Sequence, residues 1–410
     1  MIKQTDGGFR VDQNLRRRHR DNRIWRTFFY VSTASALVLL AILVLSIANQ
    51  AFGLVVIENT VDPSVLSEIP INEIDSKELI GILKSNLSKN RYKTIDRELP
   101  FTARSHDDLV DLVMAEVIKP TVIDSYHLDE SILKRDQIFT HAAEKNPSAY
   151  IQFRAWLNPE FIRRSMSSTP ELAGVRTAIL GSLWIILITI SIAFPVGVGA
   201  AIYLEEYAGT NRINRIIQTN IDNLAGVPSI IYGILGLAIF VRGMGFFTSG
   251  AFLGSEDTGG RTILSAGLTM ALLILPILII NAQEAIRAVP RSLREASYGL
   301  GATKWQTIWH HVLPSALPGI LTGTILAISR AIGETAPLIL VGASSFINRD
   351  PSGVFSRFTA LPIQIYNWTT RPQDEFRNIA AAAILVLLIL LLSLNAFAIL
   401  MRNRFTRRIS

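Results

Sequence analysis

The sequence predicts an all-α membrane protein: six transmembrane helices, with a small α or α+β domain inserted on the external side. Three observations carry this. The 410 residues are 49% hydrophobic, with a mean hydropathy of +0.34, and the apolar residues gather in six runs, at about 27–49, 176–204, 224–242, 262–283, 315–342 and 377–401. Arginines cluster before the first run and after the last. Residues 50–172 form a long polar stretch between the first two runs.

Each run reaches the ~20 residues a helix needs to cross a hydrocarbon core. Helix is required because lipid offers the backbone no hydrogen-bond partners. The first run is longer than the apolar part of a cleavable signal, and no small-residue cleavage site closes it. It follows a basic N-terminus, residues 1–26, with Arg16, Arg17, Arg18, Arg20, Arg23 and Arg26. Arg402, Arg404, Arg407 and Arg408 crowd the other end, where residues 403–410 form a basic tail. Both termini are therefore expected in the cytoplasm by the positive-inside rule, and an even number of spans is required. The formal net charge of +7 is accounted for by these membrane-flanking arginines facing anionic lipid. It calls for no nucleic acid partner.

Residues 50–172 are too many for a simple connector. Amphipathic patterns at Ser76–Leu87, His106–Val117 and Glu130–Ala143 predict helices of a small folded domain. Lys84 through Lys93 reads as a solvated loop, and Asn86-Leu87-Ser88 formally fits a glycosylation acceptor, a triplet common by chance. Asn158-Pro159 through Pro170-Glu171 reads as the linker back to the membrane.

No catalytic constellation emerges. Thr303 stands before Lys304 where a phosphate-binding loop needs glycine, and no HExxH or G-x-S-x-G is present. His310 and His311 are adjacent, so their side chains diverge on a helix and make a poor metal pair. There is no cysteine, which excludes disulfides, iron–sulfur clusters and thiolate zinc sites.

The polar segment between the fourth and fifth runs is the most organised part of the chain. Trp305, Ile308, Trp309 and Val312 fall at i, i+3, i+4 and i+7, predicting a short helix with one apolar stripe. Gly299 and Gly301 supply a bend before it. Ala296 and Ser297 are small enough for another surface to approach, and Arg287, Arg291, Arg294 and Lys304 make the segment cationic. Glu295-Ala296-Ser297, then Gly301, then Leu313-Pro314, resembles the EAA loop of ABC importer permeases, residues 294–314 here. Ser297 replaces the usual second alanine, and His311 a usual large aliphatic. The resemblance implies six helices of that permease type, and a coupling loop that docks into an ATP-hydrolysing partner through Glu295, Ala296, Ser297, Gly301, Leu313 and Pro314. An ordinary amphipathic interfacial helix is the plainer reading. With six spans the loop falls on the cytoplasmic side, where ATP is.

In the fifth run Gly319, Gly323, Ala327 and Ala331 recur every fourth residue, a smooth stripe for close helix packing. Arg330 and Glu334 lie one helical turn apart on a neighbouring face. Charges at membrane depth cost roughly 2.5–3.5 kcal/mol each, so they face a pore, a partner or each other. One reading is a self-neutralising bridge that only fixes packing; the other places Arg330 on an anion's path, with Glu334 tuning it.

Arg330, then Gly333-Glu334-Thr335-Ala336-Pro337, is similar to the Arg-x-x-Gly-Glu-Thr-Ala-Pro motif of the A-type permeases of phosphate ABC importers. Asn223-Leu224-Ala225-Gly226-Val227-Pro228-Ser229, running on to Tyr232-Gly233, and Phe358 through Trp368 resemble the same subunit. The likeness covers residues 174–402; residues 50–172 fall outside it. Pro228 is expected to kink the third span, and it and the neighbouring glycines are assigned to helix packing rather than to substrate. The family implies phosphate passing near Arg330, Glu334 and Thr335. It implies a homologous C-type permease, two ATPase subunits, an external phosphate-binding protein and a bacterial cytoplasmic membrane. The chain itself would bind no cofactor and no metal, the ATP being used by the partner. Other oxyanions (molybdate, sulfate, phosphonate) remain open as substrates, and so does a membrane-anchored receptor or scaffold acting through residues 50–172.

Overall fold

The computed structural model describes residues 11–406, apart from 68, 147–148, 210, 255–257, 345 and 348. Arg407 and Arg408 of the expected basic tail, and the first ten residues, lie outside the described residues. Five helices are long and apolar enough to span a membrane, and a sixth candidate is a bent pair.

Helix α1 runs Val11–Ala51. At 1.5 Å per residue it is about 60 Å long, twice the ~30 Å hydrocarbon core. Residues 11–26 of the basic N-terminus are thus a helical extension of the span. Ala51 leads directly into β1 (Phe52–Asn59), the centre of a three-stranded antiparallel sheet ordered β2-β1-β3. Gly53 is required there, because a Cβ would lie 1.9 Å from the carbonyl oxygen of Tyr126.

Residues 50–172 form an α+β domain. Helices α2 (Ser76–Asn86), α3 (Lys89–Glu98) and α4 (His106–Val113) enclose a core that includes Leu79, Leu83, Ile95, Phe101, Leu109 and Ile118. The loop expected over residues 84–93 is reduced to Leu87 and Ser88. Ser88 caps α3 by accepting from the Arg91 N–H, and a good cap starts a helix in a polar segment that lacks an apolar stripe. After β2 (Pro120–Ser125) the pattern over 130–143 is split at Lys134 into α5 (Leu128–Leu133) and α6 (Arg135–Lys145). After β3 (Tyr150–Ala155) comes α7 (Pro159–Arg163), capped by Asn158. The expected linker 158–171 is therefore structured. Phe161, Met166 and Glu171 are buried, and Phe161 joins Trp156, Val55, Trp368 and Ile379 in a core shared with the membrane bundle.

The bundle begins with α8, a span of Arg176–Tyr207 whose last turn, Tyr203–Tyr207, is a π-turn. The amphipathic α9 (Arg212–Ala225) follows. The third span does not run unbroken through 224–242. It consists of α10 (Ser229–Gly243), set at 106° to α9 across Gly226-Val227-Pro228. Pro228 sits at the boundary with φ −54° and ψ 136°. It starts α10 rather than kinking a continuous helix, since proline in a helix interior loses a hydrogen bond and clashes with the preceding turn. The freed carbonyl of Leu224 accepts from the Tyr232 hydroxyl at 2.7 Å.

Helix α11 (Ile263–Arg287) is the centre of the bundle, with Ile263, Ala266, Met270, Ile274 and Leu278 fully buried. A short helix α12 (Arg291–Gly299) precedes α13, a helix of Lys304–Gly333 with a π-turn at Ile308–Val312. The fifth span also ends earlier than the run to 342 suggests. Glu334 is extended (φ −79°, ψ 118°), and the chain restarts as α14 (Ala336–Val341) with proline in its first turn. Pro337 has no N–H to give the Gly333 carbonyl four residues back, and its ring would clash with that carbonyl, which ends α13 here. Finally α15 (Leu361–Thr369) leads to α16 (Asp374–Thr406).

Candidate functional site

The hairpin of α12 and α13 is built by local chemistry. Gly301 takes φ +82°, the left-handed region that favours glycine, and reverses the chain. The Thr303 hydroxyl accepts from the Gln306 N–H while the Gln306 side chain accepts from the Thr303 N–H, a reciprocal cap that starts α13. The Ser297 and Thr307 hydroxyls meet at 2.9 Å, and both residues are buried, at 6% and 0% exposure. Ser297 is therefore spent inside the hairpin, closing it; it is not available for an outside surface to approach. Glu295 and Ala296 are exposed, whereas Leu313 and Pro314 are half-buried in the turn that follows the π-turn.

The expected stripe divides. Ile308 and Val312 are buried, at 1% each, while Trp305 and Trp309 are 55% and 53% exposed. Those four positions span an arc of about 100° on a helix, wider than the neighbouring helices cover, so one edge packs inward and the other faces out. The two indoles stack at 5.5 Å. With Leu300 at 90% exposure and Tyr298 at 42%, they give the hairpin tip an uncovered aromatic and aliphatic surface.

Three residues that the sequence reading did not single out fasten this hairpin to the bundle. Glu206 accepts from Arg294 Nε at 3.0 Å and Nη2 at 2.8 Å, and the same guanidinium donates to the carbonyls of Val289 at 2.7 Å and Ile286 at 3.0 Å. The two side chains are 7% and 17% exposed. Glu205 pairs with Arg287 at 2.6 Å, and Lys304 lies 5.1 Å above the Tyr207 ring. The π-turn of Tyr203–Tyr207 carries all three of these partners. The signal was present in the sequence: two adjacent carboxylates close the second apolar run, and Arg287 and Arg294 follow the fourth, at the same end of an up-and-down bundle.

Arg330 and Glu334 are brought together, Nε to Oε1 at 3.4 Å, with side chains 44% and 20% exposed. Arg330 lies in the last turn of α13, where a cation complements the helix dipole, and Glu334 occupies the break. Thr335 beside it is half-buried. The preceding Ser329 hydroxyl donates to Asn395 of α16 at 2.8 Å. The small-residue stripe faces α11: a Cβ on Gly319 would meet Ala285 at 2.8 Å and one on Gly323 would meet Asn281 at 2.4 Å, while Ala327 and Ala331 are buried. The two broken spans touch each other, since a Cβ on Gly233 would lie 2.7 Å from Pro337 Cα.

Arg330 is not enclosed. Leu326 on its own helix face is 62% exposed, and Ile230, Ile231 and Ile234 on α10 are 49%, 42% and 54% exposed. An open cleft of about 500 Å³ lies between the middle of α10 and the end of α14, lined by Leu237, Arg261, Ile339, Gly342, Ser344 and Phe346 among others.

The chain is thus a membrane bundle with two interrupted helices, carrying at one end a small hairpin with an uncovered aromatic tip. Residues 193–410 match the model of the binding-protein-dependent transport system inner membrane component, and the chain belongs to that family. It is 39% identical over 238 residues to the phosphate transport system permease protein PstA 1 of Mycobacterium tuberculosis (strain CDC 1551 / Oshkosh), covering 57% of this chain and 72% of the relative. It is 32% identical over 254 residues to the probable ABC transporter permease protein YqgI of Bacillus subtilis (strain 168), covering 58% and 82%. An inward-facing structure of the MetNI methionine ABC transporter aligns with a TM-score of 0.41 and 18% identity, over 60% of this chain and all of the other. Residues 50–172 precede the family match.

Proposed function

We propose that this chain is the A-type permease subunit of an ATP-driven phosphate importer. In this reading it works with a homologous C-type permease, two ATPase subunits and an external phosphate-binding protein, in a bacterial cytoplasmic membrane with both termini inside. The observation that carries the reading is the 39% identity with a PstA permease over 238 residues. Two structural features support it. The first is the exposed Trp305–Trp309 pair at the tip of a hairpin clamped to α8, a surface suited to an ATPase. The second is Arg330 on an uncovered apolar face: an arginine facing lipid is costly, so a second permease seated there and an anion passing along it would both lower that cost.

In operation, ATPase closure pushes on the α12–α13 hairpin. The Glu206–Arg294 pair conveys the push to α8, and the close fit of α13 on α11 conveys it to the bundle centre. The broken spans α10 and α14 touch at Gly233 and Pro337, so a shift of α13 relative to α11 alters the surroundings of Arg330. Arg330 supplies the charge that attracts phosphate, and Glu334 fixes the guanidinium and keeps the anion from binding too tightly to leave. The test is reconstitution of the four-component complex in vesicles with radiolabelled phosphate. Uptake that requires ATP and the binding protein, and that excess molybdate or sulfate leaves intact, is the expected result. Uptake of another oxyanion in its place would reassign the substrate, and a chain that purifies without an ATPase would point to a receptor or scaffold.

A further inference from the structure

The external domain carries an apolar patch beside the end of the first span that none of the described residues covers. In α5, Ile132 and Leu133 are 68% and 82% exposed, two of the most exposed aliphatic side chains in the domain. Their position is fixed from both sides. The Ser131 hydroxyl accepts from the Leu54 N–H at 2.8 Å, pinning α5 to the sheet. Asp129 is held in a reciprocal pair with the last turn of α1: Asn49 Nδ2 donates to Asp129 Oδ1 at 2.9 Å, and the Asp129 N–H donates to Asn49 Oδ1 at 2.8 Å.

Residues three and four apart share a helix face, so Ile132 and Leu133 lie on the same side of α5 as Asp129, the side turned to α1. One turn before Asn49, Leu45 is 68% exposed on the span itself. Exposed aliphatic side chains thus stand on α1, at Leu45, and on α5, at Ile132 and Leu133, on either side of the Asn49–Asp129 pair that joins the two helices. Lys134 and Arg135 follow at once, and long basic side chains reach back to headgroups while their neighbours are submerged. Asp129, Glu130 and Asp136 offset those two cations, so the patch has no net attraction to anionic lipid.

We propose that Ile132 and Leu133 are an interfacial anchor, inserted into the outer leaflet beside the first span, that fixes the tilt of the external domain against the membrane. The occupant is lipid, and zwitterionic lipid suffices. This goes beyond the transport reading and depends only on α1 crossing the bilayer.

The chain has no cysteine, so a single introduced thiol reports one position. The full-length protein carrying Leu133→Cys, labelled with an environment-sensitive fluorophore, is placed in phosphatidylcholine discs, with Leu43→Cys on α1 as the lipid-exposed reference. The expected result is a blue-shifted emission quenched by lipids spin-labelled near the headgroup, resistant to aqueous iodide, and unchanged when anionic lipid is added. Quenching by iodide and not by the spin-labelled lipids would overturn the anchor. So would protection from both quenchers, since that would mean a protein covers the patch. Leu133 is so exposed that its replacement leaves the fold intact, and Ile132→Cys repeats the measurement on the adjoining position.

Discussion

Replacing Glu206 with glutamine tests whether the hairpin is coupled to the bundle by one buried ion pair. Arg294 loses its one charged partner among the described residues and keeps the carbonyls of Val289 and Ile286. Removing one partner of a buried pair costs roughly 3–5 kcal/mol. Here Arg294 retains 17% side-chain exposure, and glutamine keeps an acceptor oxygen, so the cost falls below that range, to about 2–3 kcal/mol. The cost falls on docking of the hairpin against α8, because the core of α11 is untouched. At about 1.4 kcal/mol per tenfold, the undocked hairpin becomes roughly 30- to 140-fold more populated.

The assay is the ratio of phosphate taken up to ATP hydrolysed by the reconstituted complex, read beside amide exchange of residues 291–312. Glu206→Gln is expected to lower the ratio severalfold and speed exchange in the hairpin, with the complex still assembled. Glu206→Asp should recover part of the loss, and the exchanged pair Glu206→Arg with Arg294→Glu should recover more than either single change. A normal ratio and unchanged exchange in Glu206→Gln would refute the clamp while leaving the transport assignment standing.

Reporter fusions at Arg23 and at Ser410 are expected to be cytoplasmic and one near residue 100 external; either terminus found outside would overturn the orientation. Arg330→Gln should abolish phosphate uptake with the complex intact, and the double change with Glu334→Gln should stay inactive; recovery in the double mutant would reduce the pair to packing, since two neutral residues leave no unpaired charge. Glu171 is 7% exposed with Oε2 lacking a hydrogen-bond partner, and burial raises its carboxyl above the ordinary range against the pull of Arg154. The folded state then holds that proton more tightly than the unfolded one, so stability rises as pH falls from the raised value toward the ordinary one. Glu171→Gln should raise the unfolding temperature at neutral pH and flatten that dependence, though Asp111, raised by burial in the same way, preserves part of it. Gly236→Leu should disrupt the bundle, because even a Cβ there would lie 2.2 Å from the Thr269 hydroxyl; wild-type yield and uptake in that variant would show that α10 and α11 separate easily.

Much of the membrane architecture is written in composition, because twenty apolar residues in a row have few alternatives in lipid. The runs at 176–204, 262–283 and 377–401 differ from α8, α11 and α16 only at their ends. The helix α9 escaped notice because isoleucines at 213, 216 and 217 are diluted by Arg212, Arg215 and several asparagines, so it makes no run. The domain of residues 50–172 was legible as folded and as α or α+β, but the places of its strands were not. Its strands read as ordinary apolar stretches, and β1 follows α1 with no intervening turn to mark the change. The hairpin showed its residues and not its faces, since which edge of a 100° stripe packs inward depends on neighbours distant in sequence.

The two breaks, at Gly226-Val227-Pro228 and Glu334-Thr335, are the least apparent feature of the apolar runs and the one closest to function. In hydrocarbon every freed backbone group must be satisfied, so irregular backbone is tolerated only where protein or a water-filled cavity surrounds it. Tyr232 answers the Leu224 carbonyl, and Gly233 lets α10 pack against the restart of α14 at Pro337. Both interruptions thus belong to one assembly, and Arg330 stands in the turn before the second. A charge whose side-chain partner among the described residues is the carboxylate at the break, on a face where Leu326 and the α10 isoleucines lie bare, fits a site completed by another subunit. The same residues packed between uninterrupted helices would have nothing to gain from the breaks.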